Sequence, residues 1–161
     1  SALCGLSPIR VMQPMYSIVK RQAEVELLPL ALETGMGVMT YSPLGGGLLT
    51  GKYGPAPAPG SGRLAENPMY TRRYADGWMF EAADRLNALA AEAGISPVSL
   101  AVAWAARHPA VSCPIIGARS LEQLEPALAA AEVDLSPDLY ARLCRLTPAP
   151  PPATDRTEER A

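Results

Sequence analysis

Apolar residues along this chain fall into three short runs separated by stretches of helical spacing. IRVMQPMY, Ile9 to Tyr16, is bounded by Pro8 and by the polar KRQAE, and its length and composition predict a short buried strand with Gln13 near the C-terminal end. A helix is expected from about Glu24 to Thr34, with Val25, Leu28, Ala31 and Leu32 on one face, Pro29 as an interruption and Gly35 as a left-handed stop. MGVMTYS is the second run of strand length, broken by Pro43 and then by Gly45, Gly46 and Gly47. The segment Gly54 to Arg73, rich in Pro, Gly and polar residues, predicts a long connection.

Two helices follow. One carries Trp78, Ala82, Leu86, Leu89 and Ala93 at helical spacing and ends at Gly94; the next is capped by Ser96, opens on Pro97 and aligns Leu100, Ala101, Trp104 and Ala105. VSCPIIGA is the third short apolar run, and Ser120 with Gln123 three residues on has the form of a capping box. The helix it starts presents Leu121, Leu124, Leu128 and Ala131, with Pro126 expected to kink or delay it. A last helix opens with Ser136 and Pro137 and packs Leu139, Tyr140, Leu143 and Leu146. From Pro148 onward, PAPPPATDRTEERA has no apolar residue able to repay ordering, so 1–147 is expected to form the domain and 148–161 a disordered tail. Strand and helix alternate three times, which argues for parallel β/α units in a doubly wound sheet or a barrel.

Composition narrows the function. With 161 residues, 48% apolar and 19% charged, the chain suits one globular domain with a real core. A net charge of -2 with mixed signs gives no footprint for nucleic acid or an anionic membrane, so any anion must be held by a local site. No apolar run approaches the roughly 20 residues of a membrane span, and Ser1 to Cys4 does not open a secretory signal, so a cytoplasmic location is expected. Cys4, Cys113 and Cys144 are odd in number and far apart, which indicates neither a disulfide framework nor a metal site. His108, at a helix end where the dipole favours a cation, has no triad context and reads as structural.

The chemistry concentrates in two stretches. In YSPLGGGLLTGKY, Tyr41 to Tyr53, an aromatic ring able to stack on a flat nicotinamide sits beside glycines whose backbone can approach a pyrophosphate, with Lys52 as a point charge. A tight turn around a buried Tyr accounts for the composition equally well, and there is no GxGxxG. PIIGARSLEQL, Pro114 to Leu124, repeats the logic: Gly117 for close approach, Arg119 for a phosphate, and Ser120 at a helix start. Both stretches lie past strand C-terminal ends, the ligand face of α/β proteins, and Gln13 would complete a polar rim there.

In order and spacing, QPMYSIVKRQAE, YSPLGGGLLTGKY, GSGR and GARSLEQL resemble the C-terminal three β/α units of the aldo-keto reductases, over about Pro8 to Thr147. The resemblance implies part of an α/β fold, a partial TIM (β/α)8 barrel comprising three β/α units plus a final helix, and an NADP(H) cofactor bound without a Rossmann motif. It implies that Gln13 contacts the carboxamide side of the nicotinamide and that Tyr41 stacks on its ring. Ser42, Pro43, Leu44, Gly45 and Gly46 would then wrap the pyrophosphate, with Lys52 and Arg63 closing over it. Gly117, Arg119 and Gln123 would hold the adenosine end, Arg119 as partner of the 2′-phosphate. Where the family often places Glu-Asn to hold the adenine, this chain has Pro126 and Ala127.

The family's proton-donating machinery, an Asp, Tyr, Lys and His, comes from the first half of the barrel, and no residue here inherits those roles. Three expected strands are far from the eight strands and roughly 250 residues of a whole barrel, and the start on Ser1 without Met suggests a cut frame or an excised piece. The implied function is therefore reduction of aldehydes or ketones, a small-molecule carbonyl being the substrate and the missing N-terminal half-barrel the partner. The alternative is a non-catalytic subunit like the potassium-channel β subunits, in which the family has Trp at the place of Tyr41. A stand-alone partial barrel is the third reading; it would expose strands such as VMTYS as unprotected edges.

Overall fold

A computed structural model describes residues 4–53 and 63–151. Three strands, β1 (Val11–Met12), β2 (Gly37–Thr40) and β3 (Cys113–Pro114), form a parallel sheet in the order β1-β2-β3. Val11 lies opposite Gly37, Met39 opposite Cys113 and Thr40 opposite Pro114, so all three strands end on one side of the molecule. The first strand is shorter than its apolar run because Pro14 has no N–H for a ladder; pairing resumes only at a bridge from Met15 to Tyr41. VMTYS is the central strand, and the edges belong to β1 and β3.

The first helix, α1 (Leu27–Thr34), follows a single 3-10 turn at Gln22–Glu24 and is closed by Gly35 at φ 65°. Because it starts at Leu27, Pro29 lies in the first turn, where a missing N–H costs nothing, and no interruption results. Leu28 and Ala31 are buried, whereas Leu32 is exposed. The second half of the expected long connection is helical: α2 (Arg63–Glu66) and α3 (Pro68–Arg73), the latter capped by Asn67, whose Oδ1 accepts from the Met69 N–H at 3.0 Å. Asn-Pro at a helix start is a signal in its own right. Residues 54–62 lie outside the described part.

Next come α4 (Gly77–Ala93), ended by Gly94 at φ 66°, and α5 (Pro97–Ala106), whose Ser96 cap accepts from the Val98 N–H. In α4 the buried stripe runs through Met79, Ala82, Ala83, Leu86 and Ala90, leaving Trp78 and Ala93 exposed. α5 is buried from Ser99 through Ala105 and is the core helix. In α6 (Leu121–Leu128) the buried residue is Ala127, and the expected face of Leu121, Leu128 and Ala131 is exposed instead. Pro126 does not break α6; the chain continues to Leu128 and then tightens into a 3-10 turn at Ala129–Glu132. Ser120 is at the cap position without bonding the backbone, and Gln123 reaches back one residue further, its Oε1 accepting from the Arg119 N–H at 3.1 Å. The capping box is therefore not formed.

The last helix, α7 (Pro137–Cys144), opens under a Ser136 cap and buries Leu143. Its end is tied to the turn after β1. Arg21 grips Glu24 with both ends of its guanidinium, at 2.9 and 2.8 Å, and donates to the Cys144 carbonyl at 2.8 Å. The Thr147 hydroxyl donates to the Ile18 carbonyl at 2.8 Å. Tyr16 stacks on Trp104 with centroids 4.9 Å apart and donates to Glu24 at 2.7 Å, so burial and the neighbouring carboxylate both push its phenol pKa upward. His108 presents an edge to Tyr16 and accepts the Ala110 N–H on Nδ1; burial lowers its pKa, so it is held neutral rather than as the cation a helix end favours. The tail expected from 148 lies mostly in 152–161, outside the described residues. The three thiols are free, Cys4 and Cys113 exposed and Cys144 half-buried.

The two faces of the sheet differ. Val38 and Thr40 of β2 are buried against the helices. On the opposite face Val11 is 49% exposed, Met39 37% and Ile115 40%, and no described element covers them.

Candidate functional site

Parallel pairing brings the residues following each strand to one rim. The Tyr16 N–H donates to the Tyr41 carbonyl at 3.2 Å and the Tyr41 N–H to the Pro14 carbonyl at 3.0 Å, while the Ile115 N–H donates to Thr40 at 2.7 Å. Gln13 and Tyr41 consequently line one open cleft of about 480 Å³, together with Met15, Lys20 and Glu26. Lys20 closes a turn in which Ser17 and Lys20 exchange backbone hydrogen bonds, and its ammonium is 5.7 Å from the Tyr74 ring centre. Burial lowers its pKa, with Asp76 pulling the other way and Arg73 adding to the effect.

Beyond Tyr41 the backbone takes an unusual path. Ser42 has φ 58°, a positive value that costs a non-glycine residue on the order of 1 kcal/mol. Gly45, Gly46 and Gly47 then follow at φ 57°, 66° and 98°. The Gly45 N–H donates to Ser42 and the Gly47 N–H to Leu44, each at 3.0 Å, so those two amides are engaged within the loop. Pro43 and Gly45 are buried; Leu44 and Gly46 are half-buried. Lys52 folds back over the loop: its Nζ is 3.5 Å from where a Gly47 Cβ would be and 4.9 Å from the Tyr53 ring centre. An ammonium lying on a glycine backbone is a fitting environment for a phosphate.

Gly46 explains why a glycine is required. A Cβ there would come within 2.6 Å of Tyr70 Cδ1 and 3.1 Å of Tyr74 Cε2. Tyr74 is buried, donates its O–H to Met15 Sδ at 3.9 Å and hydrogen-bonds Ser42; burial is the main cause that pushes its pKa up to about 12. Sequence reasoning missed both tyrosines, because they sit in a segment rich in Pro and Gly. Their four-residue spacing behind Asn67-Pro68 was the available signal.

The second stretch is open. Gly117, Arg119 and Gln123 are all exposed, and nothing lies within 4 Å of a Cβ built on Gly117. Ala127 is buried and the Pro126 carbonyl accepts from the Ser99 hydroxyl of α5 at 2.6 Å, so the backbone here is packed on the core helix. Arg63 opens α2, and its side chain lies outside the described residues. Among the described residues no group of His, Cys, Asp or Glu has the arrangement of a metal site.

Residues 3–147 match the model of the aldo/keto reductase family. The chain belongs to that family. It is 32% identical to the uncharacterized oxidoreductase YrpG of Bacillus subtilis over 86% of its length, and 39% identical over 76% to aldo-keto reductase family 7 member A3 of Homo sapiens. It is also 34% identical over 90% to a probable voltage-gated potassium channel subunit beta of Oryza sativa. These matches cover 40%, 41% and 46% of the relatives, so the chain spans less than half the length of each. The parallel sheet and its helices agree with part of an α/β barrel. No single described helix is long and apolar enough to cross a membrane.

Proposed function

We propose that this chain forms the cofactor-binding side of an NADP(H)-dependent oxidoreductase that reduces small aldehydes or ketones. The observation that carries the reading is the shared cleft of Gln13 and Tyr41, at the ends of neighbouring parallel strands and beside a glycine loop under Lys52. A planar ring fits against Tyr41 with an amide able to bond Gln13, and a pyrophosphate suits the Ser42 to Gly46 loop. Arg119, exposed on the next unit, is the forked donor suited to a 2′-phosphate, with Gly117 and Gln123 beside it. When bound, such a cofactor supplies the hydride for the carbonyl carbon. No residue of this chain is assigned the proton transfer to oxygen; on this reading the acid belongs to the rest of the barrel.

The bare sheet face supports the same conclusion. Val11, Met39 and Ile115 are apolar and exposed where a barrel would hold its interior, and Leu27 and Leu30 on α1 and Leu121 and Leu128 on α6 are exposed as well. Further β/α units, the N-terminal half-barrel that the family resemblance implies, would cover these surfaces and complete the carbonyl pocket. The proposal involves no nucleic acid and no membrane partner.

The test is an NADPH fluorescence titration beside an aldehyde-dependent absorbance assay on one preparation of the chain. Weak NADPH binding without turnover is expected, since a lone general acid contributes roughly 10²- to 10⁴-fold and orientation still more. Turnover that a Tyr41→Ala change abolishes would refute the division of labour, and absence of binding with the complementing half present would refute the cofactor site. A role as a non-catalytic subunit ranks second; a plant relative is named as a probable potassium channel subunit beta, and in the family resemblance such subunits carry Trp at the place of Tyr41.

A further inference from the structure

We propose that Tyr70 is a positioning residue for the phosphate end of the cofactor, acting through Gly46: the Tyr70–Tyr74 ring pair holds the glycine loop in the one conformation that receives the anion. The proposal rests on the cofactor reading above. Three successive residues at positive φ are available to glycine at little steric cost, but the same freedom gives the loop many alternatives, and confining each residue costs conformational entropy. Something outside the loop must select one path. Val19 Cγ2 lies 3.1 Å from the Cβ position of Gly45, and the two tyrosine rings lie on the Cβ position of Gly46, so the loop is clasped between the turn after β1 and α3.

The clasp is itself braced. Tyr70 and Tyr74 stack at 6.3 Å and 25°. Arg73 lies 5.5 Å from the centre of the Tyr70 ring and Lys20 5.7 Å from that of Tyr74, which sets two cations beside the loop. Neither tyrosine need touch the ligand. Their effect is to have the loop ordered before the anion arrives, so that binding does not bear that cost.

The test compares Tyr70→Ala and Tyr70→Phe in the same 161-residue chain. In Tyr70→Ala, hydrogen exchange at the Gly45 and Gly47 amides should accelerate on the order of tenfold or more, while amides of α4 and α5 are unchanged. NADPH affinity should fall roughly tenfold, matching the ordering cost of about one residue, with adenosine 2′,5′-bisphosphate binding unaffected because it uses the Arg119 side. Tyr70→Phe, which keeps the ring, should restore both. Unchanged exchange in the loop, or exchange accelerated throughout the chain, overturns the proposal; so does a loosened loop with NADPH affinity intact. Should Tyr70→Ala fail to fold, Tyr70→Leu carries the same readouts. If the unaltered chain binds no NADPH even with the complementing half present, the cofactor reading fails by itself, and the exchange comparison still decides whether Tyr70 sets the loop.

Discussion

The two glycine-bearing loops at the C-terminal ends of the strands are built in opposite ways. The loop after β2 is preformed: Ser42 and three glycines have positive φ, two amides are bonded within it, and tyrosine rings fill the space a side chain would need. The loop after β3 is unsupported: Gly117 has open space around it, and Arg119 and Gln123 project into solvent with only the Gln123-to-backbone bond between them. The lesson is that one glycine motif can reflect two different needs. In the first loop glycine answers to the protein's own rings; in the second nothing in the described structure requires it. On the proposed cofactor reading, that difference would give the site a rigid phosphate end and an adaptable adenosine end.

The largest effect should come from Gly46→Ala. The new methyl meets Tyr70 at 2.6 Å and the backbone is held at φ 66°. Left-handed strain and overpacking together should cost roughly 2–4 kcal/mol, read as a lower urea midpoint at unchanged slope. A loss below about 0.5 kcal/mol, the level of an ordinary surface change, would show the loop to be as free as its counterpart.

Next in size is an alkaline effect confined to the clasped loop. Tyr74 ionises near pH 10 when unfolded and only at about 12 in the fold. The unfolded chain therefore loses this proton first, so the stabilisation is complete below pH 10 and disappears as pH rises through 12. Tyr74→Phe should remove a pH dependence of roughly 2 kcal/mol between those values, leaving the contributions of Tyr16 and Tyr140, whose phenols burial also raises. Urea unfolding at pH 10 and pH 12 measures it, and an identical pH dependence in both proteins would rule it out.

Much of this was legible in the sequence, and the failures have physical causes. Caps such as Gly35, Gly94, Ser96 and Ser136 act locally, so the helices they bound stand where expected. That Gln13 and Tyr41 come to one rim followed from strand ends alone, and they line one cleft. Facing was less legible, because which flank of α6 is buried depends on α5, and Ala127 rather than the leucines meets it. Tyr70 and Tyr74 were not found because their role exists only once α3 is folded over a loop some 25 residues earlier in the chain.

The open loop should express its function through Arg119. Replacing this exposed guanidinium with alanine leaves folding within about 0.5 kcal/mol and should weaken NADPH on the order of tenfold, as loss of a charge-assisted contact does. NADH, without the 2′-phosphate, should change far less. Parallel titrations of the two cofactors make the measurement, and equal losses would remove Arg119 from the 2′-phosphate role.

The smallest effect expected is that of Gly117→Ala on stability, and it tests the comparison most directly. Nothing lies within 4 Å of the added methyl and the backbone φ at Gly117 is outside the left-handed range, so neither clash nor strain opposes it. Reduced freedom of the unfolded chain even favours the alanine, by up to about 0.4–1 kcal/mol. Unfolding should therefore be unchanged or slightly harder. Cofactor binding is a different matter: if the backbone at Gly117 must approach a ligand closely, the methyl intrudes only in the complex, and NADPH should weaken while stability does not. The same substitution at Gly46 should damage stability in the absence of any ligand. Should Gly117→Ala instead destabilise the free chain as Gly46→Ala does, the open loop is a structural turn like the first, and the contrast between a clasped and an adaptable end of the site does not hold.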